Sequence, residues 1–176
     1  LFFSATTPKT VSSLAASLLH KPVSVSVAVQ SKPVERIAQS VIFAPQTQKI
    51  AQLTHLLKGE SVHSAIVFTR TKHRANRLAL ALNKAGISAE AIHGNKSQTA
   101  RQKALGAFKA GQVKALVATD IAARGIDVDA VSHVINFELP NVPEDYVHRI
   151  GRTARAGASG TAVSLCAPDE RAYLKS

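Results

Sequence analysis

The chain is poor in acid. Eleven Asp and Glu residues face twenty-two Lys and Arg, a net charge of +11 on 176 residues. Such an excess attracts polyanions, with nucleic acid the first candidate and an anionic membrane surface the second. The membrane is disfavoured, because no apolar run reaches the roughly 18 residues of a span and no basic amphipathic helix is present. Aromatic residues are only 5% of the chain, so base stacking is not the main source of any nucleic-acid affinity. Cys166 is the single cysteine, which excludes an internal disulfide and fits a reducing cytoplasm. It lies in the apolar run 163–167 and reads as a buried, inert thiol. The first residues have neither the charged start nor the long apolar stretch of a signal peptide. With no initiating Met and no helix stop at the other end, the expectation is a piece of a longer protein.

Other absences narrow the chemistry. There is no GxxxxGK[ST] phosphate loop and no Asp-Glu pair placed to hold Mg²⁺. The seven histidines are scattered, and none joins Cys166 at metal-ligand spacing. A domain that handles phosphate without a phosphate loop reads as half of a composite site.

What is present is an alternation of strand-like and helix-like segments. Val11, Leu14, Ala15, Leu18 and Leu19 keep a helical period after Thr7-Pro8, a good helix start. Val23, Val25, Val27 and Val29 alternate as a strand would, and the polar stretch 30–33 is the best linker. Further on, 41–43, 65–69, 89–93, 115–119, 133–137 and 161–166 read as strands. Helices are predicted over 49–58, 72–85 and 98–110, closed by Gly59, Gly86 and Gly111, with one more opened by Pro143. Continuous apolar strands separated by amphipathic helices specify an α/β fold, a parallel sheet with helices on both faces. In such a sheet ligands sit beyond the carboxyl ends of the strands. That rule selects Thr69-Arg70-Thr71, His93-Gly94-Asn95-Lys96, Thr119-Asp120 and the loop after Phe137.

Three clusters carry candidate chemistry. In residues 118–127, the Thr119 hydroxyl and the backbone N–H groups after it can hold a phosphate oxygen. Gly125 permits a tight turn, leaving the Asp127 carboxylate able to accept from a ribose. Helix capping by Thr119 or Asp120, and a surface turn at Asp127, are the plainer alternatives. In residues 148–157, Arg149, Arg152 and Arg155 recur every three positions, while Gly151 and Gly157 weaken any long helix. Planar guanidinium groups suit phosphates, so the spacing fits a triphosphate, with a solvated basic face as the alternative. In residues 93–101, Ser97 can cap a helix that puts Gln98 and Arg101 on one face.

Together these clusters resemble the second RecA-like domain of DEAD-box RNA helicases over the whole chain. Ser4-Ala5-Thr6 is similar to motif III, Ile66–Lys72 to motif IV, and His93-Gly94 with Gln98 and Arg101 to motif IVa. Thr119–Asp127 matches motif V and His148–Arg155 matches motif VI, with Ala154 where the family more often has Gly. Residues 68–73 and 93–98 look most like the bacterial RhlE-type group. The resemblance implies a P-loop NTPase-like, RecA-like fold, with 1–30 ending a first helicase domain and 31–176 forming the carboxy-terminal one. It implies that Arg152 and Arg155 reach the ATP γ-phosphate, Arg155 as the arginine finger, and that Asp127, beside Gly125, binds the ribose. Arg70, Gly94, Gln98, Arg101 and Thr119 would touch the RNA backbone, while Ser4, Thr6 and His148 would couple the two ligand sites. The implied partners are RNA and the protein's own amino-terminal RecA-like domain, which would hold most of the Mg²⁺ coordination; ribosomal or RNA-degradation proteins are further candidates. The fragment alone is expected to be inactive. A nucleic-acid module that never meets ATP, and a DNA translocase of the same superfamily, are the rival readings.

Overall fold

A computed structural model describes residues 2–3, 9–25, 37–124, 126, 128, 131–154 and 159–174. The chain divides into two compact units, Leu1–Gln30 and Ser31–Ser176. In the first, helix α1 (Lys9–Leu18) bears out the helical period read over 11–19. The strand expected over 23–29 does not form in its described part. Residues 22–25 have no ladder, and Val23 and Val25 are almost fully exposed. Alternation supplies a strand-shaped pattern, but a strand needs a neighbour to receive its backbone hydrogen bonds.

The second unit is a six-stranded, all-parallel sheet. Its strands are β1 (Ile37–Phe43), β2 (Ala65–Phe68), β3 (Ala89–Ile92), β4 (Ala115–Ala118), β5 (His133–Asn136) and β6 (Gly160–Cys166), in spatial order β1-β6-β5-β2-β4-β3. Between them run α2 (Lys49–Lys58), α3 (Lys72–Lys84), α4 (Gln98–Lys109), a single turn α5 (Asp120–Ala123) and α6 (Pro143–Ile150); a 3₁₀ helix (Pro168–Leu174) follows β6. The period of two sorts each strand's side chains onto two cores. Ala65, Val67, Val117 and Ile135 pack under α2 and α3, against Leu53, Leu57, Leu78 and Leu82. Ile66, Phe68, Leu116 and Val134 pack on the opposite face, with Phe108 of α4 and Ile150 of α6. Each large aliphatic or aromatic side chain there is worth about 2–5 kcal/mol against Ala. Strand β1 lies at an edge, which is why only Ile37 of its seven residues is buried.

The helix ends follow their residues. Thr71 and Ser97 cap α3 and α4 by accepting from Arg74 N and Ala100 N. Gly86 and Gly111 stop the same helices in the left-handed region, at φ of 80° and 71°, where a side chain would be strained.

Register is what makes a site. Ile92 pairs with Ala118, Ala118 with Phe68, Phe68 with Asn136 and Asn136 with Ser164, so four strands end in one row while β6 runs two residues further, to Cys166. The next residue or two of each strand therefore emerges on one ridge. Gly94, Thr119 and Arg70 are among them.

Candidate ATP- and RNA-binding face

The ridge is built on a buried arginine. Arg149, in the last turn of α6, is 1% exposed and is fully occupied within the domain. Its Nε donates to Asp120 Oδ1 at 2.6 Å and its Nη2 to Asp120 Oδ2 at 2.8 Å. Its Nη1 donates to Asn136 Oδ1 at 3.1 Å and to the Glu138 carbonyl at 2.7 Å. The guanidinium also stacks over the Phe68 ring, 5.0 Å from its centroid. A two-pronged carboxylate and two further acceptors satisfy a charge that would be very costly to bury alone. Arg149 thus ties α6, the turn at α5 and the ends of β2 and β5 together. Sequence periodicity grouped it with Arg152 and Arg155, but burial separates it from Arg152.

Arg152 follows the helix end and is only half-buried, its Nη1 donating to the Ile126 carbonyl at 3.3 Å. It opens on a shallow cleft with His148, Arg124 and Asp145 on the rim and Asp120 and Arg149 beneath. Arg124 Nη2 and Asp145 Oδ1 pair across the rim at 2.8 Å. His148 is exposed there. A guanidinium at the edge of such a cleft is a group that can meet an anionic ligand such as a phosphate.

The loop after Arg152 is held under strain. Thr153 is fully buried and donates its hydroxyl to the Val131 carbonyl. Ala154 sits at φ 55°, a conformation that costs a residue with a Cβ about 1–2 kcal/mol. Gly160 backs this turn: a Cβ there would lie 2.7 Å from Ala154 N and closer still to Thr153. Gly125, Asp127 and Arg155 of the expected nucleotide site, and Ser4 and Thr6 of the coupling set, lie outside the described residues.

The rest of the ridge presents polar groups with spare capacity. Thr119 is the N-cap residue of α5, yet its hydroxyl makes no capping bond, and the Asp120 carboxylate serves Arg149. Neither side chain is therefore explained by capping. Around Gly94, a Cβ would meet nothing within 4 Å, so the space above its backbone is open. Gln98 is exposed at the first position of α4, and Arg101 is partly buried with its Nε shielded from solvent and unbonded. His93 is buried, with Nε2 on Asn76 Oδ1 at 3.0 Å. Burial first, then Lys96, Lys72 and His73, holds its imidazole below the usual histidine range, so it stays neutral amid cations. Phosphates fit this arrangement: open backbone at Gly94, an orphaned guanidinium nitrogen at Arg101 and surrounding positive charge.

Arg70, immediately beyond β2, is more engaged than the sequence suggests. Its backbone N donates to Glu138 Oε2 at 2.9 Å, its Nη1 to Asn141 Oδ1 at 3.2 Å and its Nη2 to Glu170 Oε1 at 3.1 Å. Arg74 pairs with Glu138, and buried Lys49 pairs with Glu170 and donates to the Phe137 carbonyl at 2.8 Å. Sequence reasoning missed Glu138, Glu170 and Asn141. The available signal was a carboxylate inside the apolar run Phe137-Glu138-Leu139 of an acid-poor chain.

With this geometry described, the likeness to known proteins is decisive. A family described as helicase conserved C-terminal domain matches residues 48–157. The structure of Escherichia coli DEAD-box protein SrmB bound to the regulator of ribonuclease activity A superposes with a TM-score of 0.76, at 44% identity over 79% of this chain and 82% of that one. The chain belongs to the DEAD-box family of RNA helicases. It is the carboxy-terminal RecA-like domain of such a protein. The DEAD-box ATP-dependent RNA helicase CshA of Bacillus subtilis is 45% identical over 175 residues, 99% of this chain and 35% of the relative. The chain thus spans about a third of the curated relatives it matches. Saccharomyces cerevisiae Dbp5 bound to RNA and ADP BeF3 superposes with a TM-score of 0.83, at 30% identity, covering 98% of this chain and 46% of that chain.

Proposed function

We propose that this domain completes an RNA-stimulated ATPase from the far side, holding RNA along the strand-end ridge and presenting arginines to ATP bound by a first RecA-like domain. The observation that carries the reading is the division of labour in motif VI. Arg149 is sealed inside by Asp120, whereas Arg152, three residues on, opens on a cleft rimmed by His148 and Arg124. Residues 1–30 end the first helicase domain in this reading, and the RhlE-type subgroup rests on the sequence alone.

ATP would supply the triphosphate whose hydrolysis resets the cycle. Arg152 and Arg155 would neutralise charge on the γ-phosphate, with Arg155 as the finger, and Asp127 beside Gly125 would accept from the ribose hydroxyls. In this reading the first RecA-like domain would hold most of the Mg²⁺ coordination. Gly94, through its open backbone, would admit an RNA phosphate. Thr119, Gln98, Arg101 and Arg70 would bond neighbouring sugar and phosphate oxygens, with no reading of base identity. His148, with Ser4 and Thr6, would transmit closure between the two sites. Joint occupancy then drives closure, because each ligand favours the closed state.

In the full-length protein, a non-hydrolysable ATP analogue should tighten single-stranded RNA by at least about fivefold. RNA should raise ATPase turnover more than DNA of equal length, since only RNA presents 2′-hydroxyls. An RNA affinity indifferent to nucleotide would return the domain to a plain nucleic-acid module. Equal stimulation by DNA would favour the translocase.

A further inference from the structure

Among the described residues, two wholly buried carboxylates lie at the carboxyl end of the sheet, and neither has a role in the mechanism above. Glu138 follows β5 and Glu170 lies in the 3₁₀ helix, each 1% exposed. Three cations, Lys49, Arg70 and Arg74, are paired with them, leaving the cluster one net positive charge. The cluster is not sealed: Arg70 is 27% exposed and Arg74 48%. The guanidinium of Arg70 is gripped from three directions. Asn141 takes Nη1, Glu170 takes Nη2, and the Tyr173 ring lies 5.6 Å from its carbon. Glu138 fixes the backbone beneath it through the Arg70 N–H.

A surface arginine ordinarily carries substantial rotamer entropy, which it must give up when it binds a phosphate. Here that entropy is already spent in the folded domain. Arg70 has five N–H donors, and its bonds to Asn141 and Glu170 use one on each terminal nitrogen. The remaining donors sit on a side chain whose direction is set before any ligand arrives.

We infer that Asn141, Glu170 and Tyr173 are positioning residues for RNA, which hold Arg70 in its phosphate-binding pose and make the 3₁₀ helix Pro168–Leu174 part of the RNA site. The inference rests on the proposal that Arg70 meets the RNA backbone, and the test separates the two. Substituting Glu170 would strand the buried Lys49 and threaten folding. Asn141 and Tyr173 lie at the surface and leave both carboxylates in place.

In the full-length protein, Asn141→Ala/Tyr173→Ala is compared with Arg70→Ala by RNA-stimulated ATPase and by RNA affinity against salt. The double variant should raise KM for RNA about tenfold, the scale of one charged hydrogen bond, with kcat at saturating RNA within about twofold of wild type. Its slope of log affinity against log salt should fall by about 0.7, one single-strand phosphate contact. Arg70→Ala should move the same quantities in the same direction and at least as far. If Arg70→Ala leaves KM for RNA unchanged, the assignment of Arg70 to RNA fails, and the positioning falls with it. If Arg70→Ala raises KM while the double variant does not, Arg70 binds RNA without these restraints and the inference alone is overturned. A double variant that loses thermal stability and kcat together at unchanged KM would give Asn141 and Tyr173 a purely structural role, overturning it equally.

Discussion

Replacing Asp120 by Ala should damage folding far more than replacing Arg152 by Ala, although Arg152 is the one assigned to ATP. Asp120 supplies both carboxylate oxygens to Arg149, at 2.6 and 2.8 Å, and nothing else described could replace them beside a guanidinium that is 1% exposed. Removing one partner of a buried pair costs about 3–5 kcal/mol, because the remaining charge stays desolvated. Asp120 itself is 24% exposed, so water can enter part of the gap and the low end, about 3 kcal/mol, applies. With a urea slope of about 2 kcal/mol/M, the unfolding midpoint falls by about 1.5 M. Arg152 is half-buried, so Arg152→Ala removes a charge that water already partly solvates and leaves no sealed counter-charge behind among the described residues, and it should lower the midpoint by less than Asp120→Ala does. Urea denaturation of the two variants, followed by circular dichroism, measures both. Equal losses, or a larger loss for Arg152→Ala, would refute the division between a structural and a functional arginine.

Ala154→Gly should stabilise the domain by about 0.5–1 kcal/mol, since relief of the left-handed Cβ strain at φ 55° exceeds the added chain entropy; a lower urea midpoint would contradict that. Stability should also fall on acidification. His93 is held low by burial and then by Lys96, Lys72 and His73, and His133 by burial and then by His63. Above the ordinary value of 6.5 both imidazoles are neutral whether the chain is folded or not; below it the unfolded chain takes up protons that the folded one refuses. The loss should therefore begin near that pH and level off once the lower folded-state values are passed, and a midpoint unchanged between pH 7.5 and 5.5 would refute it. Gly94→Ala should leave stability within about 0.5 kcal/mol, its Cβ meeting nothing, while weakening RNA binding in the full-length protein. Unchanged RNA affinity would remove Gly94 from the track.

The fold was legible where local pattern and tertiary demand agree. The runs 65–68 and 115–118 are buried on both faces and read as continuous apolar strands, and Gly86 and Gly111 end their helices where expected. Val23 and Val25 misled, because among the described residues no strand pairs with their alternation. The opposite error occurred at β1, whose first four residues, Ile-Ala-Gln-Ser, carry too little apolar signal for a strand that exposes most of its side chains at the sheet edge. Of the site, the ridge followed from the rule that ligands sit beyond the carboxyl ends of parallel strands, so the loops holding Gly94, Thr119 and Arg70 could be named. The electrostatic framework could not. Arg149 finds Asp120 across 29 residues and Lys49 finds Glu170 across 121, distances over which no periodicity runs. A guanidinium that braces the domain and one that faces a cleft look alike in a run of arginines; only their burial distinguishes them.

The most direct test of the central claim is the RNA-stimulated ATPase of the full-length protein carrying Arg155→Ala, in a preparation whose urea midpoint matches wild type. An arginine finger supplies a factor of about 10³–10⁵, or about 4–7 kcal/mol of barrier. The account predicts turnover reduced at least about a thousandfold, with the protein still folded and still binding RNA. Turnover within about tenfold of wild type would contradict it, and would leave this domain holding RNA without completing a nucleotide pocket.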